Sequence, residues 1–286
     1  MTVYNLGSIN ADHVYAVPHL PAPGETLAAT GYSIGLGGKG ANQSVAAAKA
    51  GARVLHIGAV GPEGLWAREA LAGYGVDVSH VARGTEATGH AIINVDPAAE
   101  NAIVLYSGAN QTLGAAAIGA ALAGAGPGDT LMLQNETSVQ VIAAQMAAAK
   151  GMRVIYSAAP FDLGAVKAVL PHVGLLVMNE IEAGMMRDGL GGLPAVDVIV
   201  TKGARGAEWI SVGAEPLFVP SFKVLPVDTT GAGDCFIGTL AAALDAGLDR
   251  AGGMRRAAAA AAIQVTRKGA AQAMPSASEV DAFLQG

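Results

Sequence analysis

The sequence predicts an α/β fold: a mostly parallel central sheet covered by helices on both faces, a three-layer sandwich, with a small β-sheet beside it. Three observations carry this. Short apolar runs alternate with alanine-rich helical runs along most of the 286 residues. Hydrophobic residues make up 52% of the chain and charged residues 14%, enough apolar surface to bury a sheet from both sides. Two segments, 14–36 and 88–107, break the alternation.

The apolar runs place strands at Val3–Ile9, Val54–Val60, Thr130–Gln134, Val154–Ser157, Leu175–Asn179 and Val196–Thr201. Helical runs lie between or after them at Ala41–Ala50, Leu65–Tyr74, Ala115–Ala123, Val139–Lys150, Ile181–Arg187, Gly233–Ala246 and Arg250–Val265. In the helix after Gly233, the residues Ala232, Phe236, Leu240 and Leu244 recur every four positions and mark its buried stripe. Residues 14–36 are rich in Pro and Gly and hold no good helix. Residues 88–107 read as strands Gly89–Val95 and Ala102–Tyr106 around a turn near Asp96-Pro97. The two irregular segments are expected to pair as a lid, leaving 1–13, 37–87 and 108–286 as the α/β body.

Bulk properties narrow the function. A net charge of -6 argues against nucleic-acid binding, which needs a basic face. A polyanionic ligand would have to be met locally, by backbone N–H groups, a helix N-terminus or a metal ion. The single cysteine, Cys235, excludes an internal disulfide and a four-cysteine zinc site, and fits a reducing compartment. The start lacks the basic and apolar regions of a signal peptide. The run Ala257–Ile263 is too short to span a membrane, so a cytoplasmic location with no membrane partner is expected. The six histidines show no metal-binding spacing.

Four strings carry candidate chemistry. In Asp228-Thr229-Thr230-Gly231-Ala232-Gly233-Asp234, small residues open a helix, where free N–H groups can hold an anion. Asp234 in the first turn is placed to take a proton from a hydroxyl. An acid-capped helix after a glycine turn would read the same way. Gly37-Gly38-Lys39-Gly40-Ala41-Asn42-Gln43 delivers Lys39 and Asn42 at a helix start, suited to sugar hydroxyls. With Gly35 this stretch contains the spacing of a dinucleotide fingerprint, but no acidic residue closes the next strand, so that reading is rejected. A P-loop fails because Gly40 follows Lys39. Asn10 and Asp12 follow the first strand, as turn formers or as ligand contacts beyond its carboxyl end. Asn179 and Glu182 form either a capping box or a pair that orders Mg²⁺ through water.

Together these strings resemble the phosphofructokinase-B-type carbohydrate kinases, and within them the ribokinase group. The resemblance runs nearly end to end. It includes Gly7-Ser8-Ile9-Asn10-Ala11-Asp12-His13, Pro23-Gly24-Glu25-Thr26, the Gly37–Gln43 and Asp228–Asp234 strings, Asn179-Glu180-Ile181-Glu182 as an NxxE motif, and Val265-Thr266-Arg267-Lys268-Gly269-Ala270. It implies a ribokinase-like sandwich with a β-lid, and ATP-dependent phosphorylation of the 5-hydroxyl of D-ribose.

The resemblance also implies residue roles. Asp234 would be the base, with Gly231, Ala232 and Gly233 as the anion hole. Asn10, Asp12, Gly38, Lys39, Asn42 and Glu136 would hold the sugar. Asn179 and Glu182 would serve Mg²⁺ and phosphates, while Thr201, Gly203 and Gly233 would lie beside the nucleotide. Asp228 and Thr230, with carbonyls around Arg267 and Gly269, would bind an activating K⁺. The lid would also pair two subunits into a homodimer. Another pentose, a ketohexose or a nucleoside is the alternative substrate class. A nicotinamide-dependent oxidoreductase and a silent sugar-binding regulator are the distant alternatives.

Overall fold

In the computed structural model, which describes residues 1–98 and 100–286, two sheets organise the chain. The body is built on β1 (Thr2–Leu6), β4 (Arg53–Val60), β5 (Asp77–Arg83), β8 (Thr130–Gln134), β9 (Arg153–Ser157), β10 (Leu175–Asn179), β11 (Asp197–Thr201), β12 (Gly206–Ile210) and β13 (Leu217–Pro220). Their order across the sheet is β13-β12-β11-β10-β9-β8-β1-β4-β5. Every pairing from β5 to β11 is parallel, and β12 and β13 close that edge antiparallel.

Alternation along the strands separates two cores. Val3, Met132, Ile155, Val177 and Ile199 face one side, with α1 (Lys39–Lys49), α2 (Leu65–Gly73), α7 (Ala232–Asp245), α8 (Arg250–Gln264) and α9 (Ala277–Gln285) packed over it. Tyr4, Leu131, Leu133, Tyr156, Leu176 and Val200 face the other, under α3 (Ala115–Ala121), α4 (Gln140–Ala149), α5 (Leu163–Val169) and α6 (Glu180–Leu190). Side chains that alternate with period two must serve both faces, so both sides of a parallel strand are apolar. The expected three-layer sandwich is present.

The second sheet has the order β3-β2-β6-β7, from β2 (Asn10–Ala16), β3 (Gly31–Gly37), β6 (Gly89–Val95) and β7 (Asn101–Tyr106). It begins at Asn10, before the Pro- and Gly-rich stretch that marks it in the sequence. The apolar run Val3–Ile9 therefore divides: β1 stops at Leu6, and Asn10 to Asp12 lie in a strand rather than a turn. Their side chains alternate across β2, with Asn10 and Ala11 buried and Asp12 partly so.

The elements the sequence did not mark are β5, β12, β13, α5 and α9. β5 reads Asp-Val-Ser-His-Val-Ala-Arg, an edge strand whose polar residues hide its period. α9 carries a legible signal, since Ser276 and Glu279 form a capping box. Among the described residues no helix is long and apolar enough to cross a membrane.

Candidate active site

α1 and α7 meet where a glycine allows it. Gly238 lies one turn after Asp234 in α7, and a Cβ there would run into the carbonyl of Gln43 and the side chain of Ala46. With only hydrogen at that point, the two helix backbones come close enough for α1 side chains to reach Asp234. Asn42 Nδ2 donates to Asp234 Oδ2 at 3.1 Å, and Gln43 Nε2 donates to Asp234 Oδ1 at 3.0 Å. Asp234 is only 9% exposed. Burial pushes its carboxyl up to about 6, against the pull of Lys39 and these two hydrogen bonds.

Behind Gln43 runs a buried polar chain that the sequence did not reveal. Gln134 Nε2 donates to Gln43 Oε1 at 2.8 Å and to Asn5 Oδ1 at 2.9 Å. Asn5 Nδ2 donates to Gly40 O and to Ser44 Oγ, both at 2.8 Å. Ser44 Oγ meets His56 Nδ1 at 2.8 Å, and His56 Nε2 meets Gly7 O at 3.0 Å. A carbonyl can only accept, so Nε2 carries the proton and Nδ1 accepts from Ser44. Burial pushes His56 down to about 4, which keeps it neutral in this role. Each donor sets the orientation of the next, back to Asp234.

The turn at Gly38 holds the second half of the site. Its φ of +92° and the closeness of Ser8 O at 2.7 Å to any added Cβ explain the glycine. Glu136 Oε2 accepts from Lys39 N at 3.1 Å and from Ser8 Oγ, while Lys39 Nζ lies 3.9 Å from Glu136 Oε1. Burial alone would lower the Lys39 ammonium. The carboxylates of Asp234, Glu136, Glu182 and Asp12 outweigh it and hold Lys39 above its ordinary value. Asp12 is pushed up to about 6, chiefly by burial and then by Glu136. Its carboxylate fills the space beside Gly37, where a Cβ would collide. Asn10 Oδ1 accepts from Asn110 Nδ2 at 2.8 Å, and the buried Asn110, unmarked in the sequence, ties it to Ile9.

A cleft of about 200 Å³ opens beside these groups; Lys39, Asn179, Glu182, Thr201, Gly233 and Asp234 line it. At the start of α7, Gly231 takes a left-handed φ of +79° and turns the chain into the helix. The Ala232 N–H is drawn to Thr229 O at 3.2 Å, so the first-turn N–H groups left for an anion are those of Gly233 and Asp234. Gly231, Ala232 and Gly233, the residues expected to form the anion hole, all line the cleft. Asn179 and Glu182 do form a capping box, with Glu182 N donating to Asn179 Oδ1 at 2.9 Å and Asn179 N to Glu182 Oε2 at 2.8 Å. They still face the cleft, and the box leaves Glu182 Oε1 for a ligand. Burial raises the Glu182 carboxyl, offset by Asn179 and Lys39. Gly203 begins a short turn after β11 and does not line the cleft.

The groups expected to hold K⁺ are brought together, but each already has a hydrogen-bond partner within the chain. Asp228 Oδ1 accepts from Thr230 N and Oδ2 from Gly269 N, both at 2.9 Å. Burial pushes the Asp228 carboxyl up, and these two N–H bonds outweigh it. The carbonyls of Thr230 and Gly269 both accept from Gln264 Nε2, at 2.8 and 3.0 Å. The Arg267 side chain turns to Glu279 Oε1 at 2.6 Å.

The model of the family described as "pfkB family carbohydrate kinase" matches residues 2–277. The chain belongs to this family. The ribokinase of Haemophilus influenzae is 38% identical over 99% of this chain and 98% of its own length. A deoxyribokinase of Salmonella typhi is 31% identical over 99% of both. The structure of an Arabidopsis thaliana ribokinase complexed with ribose and ATP superposes with a TM-score of 0.87 at 28% identity, covering 100% of this chain and 98% of the other. As a pfkB-family kinase the chain keeps a carboxylate beside a helix N-terminus, and the two groups meet in one cleft. The nicotinamide reading falls away: the glycine string lies at β3 and the start of α1, with β3 in the small sheet rather than in a parallel βαβ unit.

Proposed function

We propose that this chain moves the γ-phosphoryl group of ATP onto the 5-hydroxyl of D-ribose, giving ribose 5-phosphate and ADP. The observation that carries the reading is Asp234, buried, held through both oxygens by Asn42 and Gln43, and facing the N–H groups that open α7. Ribose is supported by the ribokinase relative, and by Asn10, Asp12, Gly38, Lys39, Asn42 and Glu136 gathered around one turn. Asn42 Oδ1 is buried with no partner among the described residues, an acceptor for a sugar hydroxyl.

In this mechanism the 5-oxygen attacks phosphorus in line with the departing ADP oxygen. Asp234 takes the hydroxyl proton as the new O–P bond forms, and its pKa near 6 suits a base at neutral pH. The N–H groups of Gly233 and Asp234 receive the charge that spreads over the transferring oxygens. Lys39 adds positive charge between sugar and phosphate. Asn179 and Glu182 would hold Mg²⁺ through water, and a half-buried carboxylate with one oxygen to spare fits that hard cation. When bound, Mg²⁺ neutralises charge on the β- and γ-phosphates. Thr201 and Gly203 would border the nucleotide. K⁺ activation, expected from the resemblance, is not favoured by the groups at Asp228 and Thr230.

The small sheet would act as a lid and as a subunit contact. Tyr32, Ile34, Val104 and Tyr106 share one face of it and lie exposed, Val104 by 68%. An apolar face of that kind supports a homodimer. A cytoplasmic setting, where ATP is at hand, belongs to the same reading. The deoxyribokinase relative supports 2-deoxyribose as a second acceptor. ADP release from Mg-ATP, measured with D-ribose, 2-deoxyribose, ketohexoses and nucleosides, tests the substrate. Ribose giving the highest kcat/KM is the expected outcome, and turnover confined to another acceptor would overturn it.

A further inference from the structure

We infer that the side-chain amide of Gln264 stands in for a cation in this chain, tying the 265–270 loop to the turn that opens α7, so that turnover needs no monovalent ion. The inference rests on the kinase reading above. Gln264 ends α8 and is fully buried, at the end of an otherwise apolar run of Ala257 to Ile263. A long polar side chain in such a place is unfavourable unless its amide is bonded. Its Nε2 donates to Thr230 O at 2.8 Å and to Gly269 O at 3.0 Å.

Two carbonyl oxygens turned toward one point repel each other unless a positive group lies between them. The amide nitrogen, with its two hydrogens, fills that requirement. The opposite orientation would set Oε1 against two acceptors with nothing to donate. The surrounding groups are satisfied within the chain as well. Asp228 takes N–H bonds from Thr230 and Gly269, and the N–H groups of Val227 and Asp228 both reach Val265 O, at 2.7 and 3.1 Å. The Gln264 Oε1 is buried with no partner among the described residues.

The junction matters because Thr230 precedes Gly231, the residue whose left-handed φ starts α7. Ala270 lies 3.0 Å from where a Gly231 Cβ would stand, so the loop also packs against the turn directly. The distance from Thr230 to Gly269 thereby sets the pose of the Gly233 and Asp234 N–H groups. Gln264 touches no substrate, and it is a positioning residue.

The test compares ribose-dependent ADP release in choline chloride and in potassium chloride of equal ionic strength. Melting temperatures are read in the same two salts without substrates. The unaltered enzyme should show the same turnover and melting temperature in both. Gln264→Ala should lose about tenfold or more in turnover in choline, the scale of losing a buried donor shared by two acceptors. Potassium should restore most of that loss and raise the variant's melting temperature. Gln264→Glu keeps the shape, removes the N–H and puts an oxygen against two carbonyls. It should depend on potassium too, and it serves if the alanine variant does not fold.

Potassium that speeds the unaltered enzyme several-fold or raises its melting temperature would overturn the inference. So would a folded variant as active as the unaltered enzyme in choline, or one equally slow in both salts. If the unaltered enzyme does not turn over ribose, the substrate reading fails, while the melting comparison still decides the role of Gln264.

Discussion

Gln43 Nε2 donates to Asp234 Oδ1 at 3.0 Å, joining two residues 191 positions apart. The bond steadies the carboxylate against the burial that pushes it up. Gln43→Leu removes this donor and breaks the chain to Gln134. The acid limb of kcat/KM should then move up by about one pH unit, the scale of one hydrogen bond to a charged group. A pH–rate profile checks this, and an unmoved limb would show that Gln43 serves packing alone.

Asp234 links activity to stability with opposite signs. Its folded value of about 6 lies above the ordinary 3.8, so the folded state binds the extra proton between those two pH values. The stability it contributes is full below about 4 and is lost as pH rises through about 6. Asp234→Asn should cost about 10²–10⁴ in turnover. It should also raise the melting temperature at pH 7, with the difference shrinking below pH 4. Melting scans at the two pH values test this sign. In the unaltered enzyme kcat/KM should rise with pH through about 6, as the base loses its proton.

Gly238→Ala places a methyl against the Gln43 carbonyl and Ala46. The helices must part, at about 1–3 kcal/mol for overpacking. Because Asn42 and Gln43 then draw back from Asp234, kcat should fall while the melting temperature drops only by several degrees. Activity matching the parent enzyme in a folded G238A protein would mean that the helix spacing is not what holds the base.

Val104→Asp puts a charge into the exposed apolar face of the small sheet. Sedimentation should show a dimer for the parent chain and a monomer for the variant. A parent monomer at micromolar concentration would remove the subunit contact from the reading.

Much of this architecture is written locally. Short continuous apolar runs mark β8, β9 and β10, because parallel strands are buried on both faces, and the four-residue stripe from Ala232 to Leu244 marks α7, because burial of one face leaves its period in the sequence. The Asp228–Asp234 string is equally local, since a helix start needs small residues and an acid in its first turn. Other features left weak traces: β5 mixes polar residues into an edge strand, and Asn10 reads as a turn former while it lies in β2.

What the tertiary structure alone decided is which distant polar groups meet. The run Gln43, Gln134, Asn5, Ser44 and His56 carries no spacing of its own. It forms because β8, β1 and β4 are neighbours and Gly238 lets α1 lie against α7. Gln264 was a lone amide among apolar residues until α8 ended beside Thr230 and Gly269. A hydrogen bond needs its partners within about 3 Å. Chain order does not supply that distance, so composition and period foretold the layers and the helix start, while packing chose the partners of Asp234.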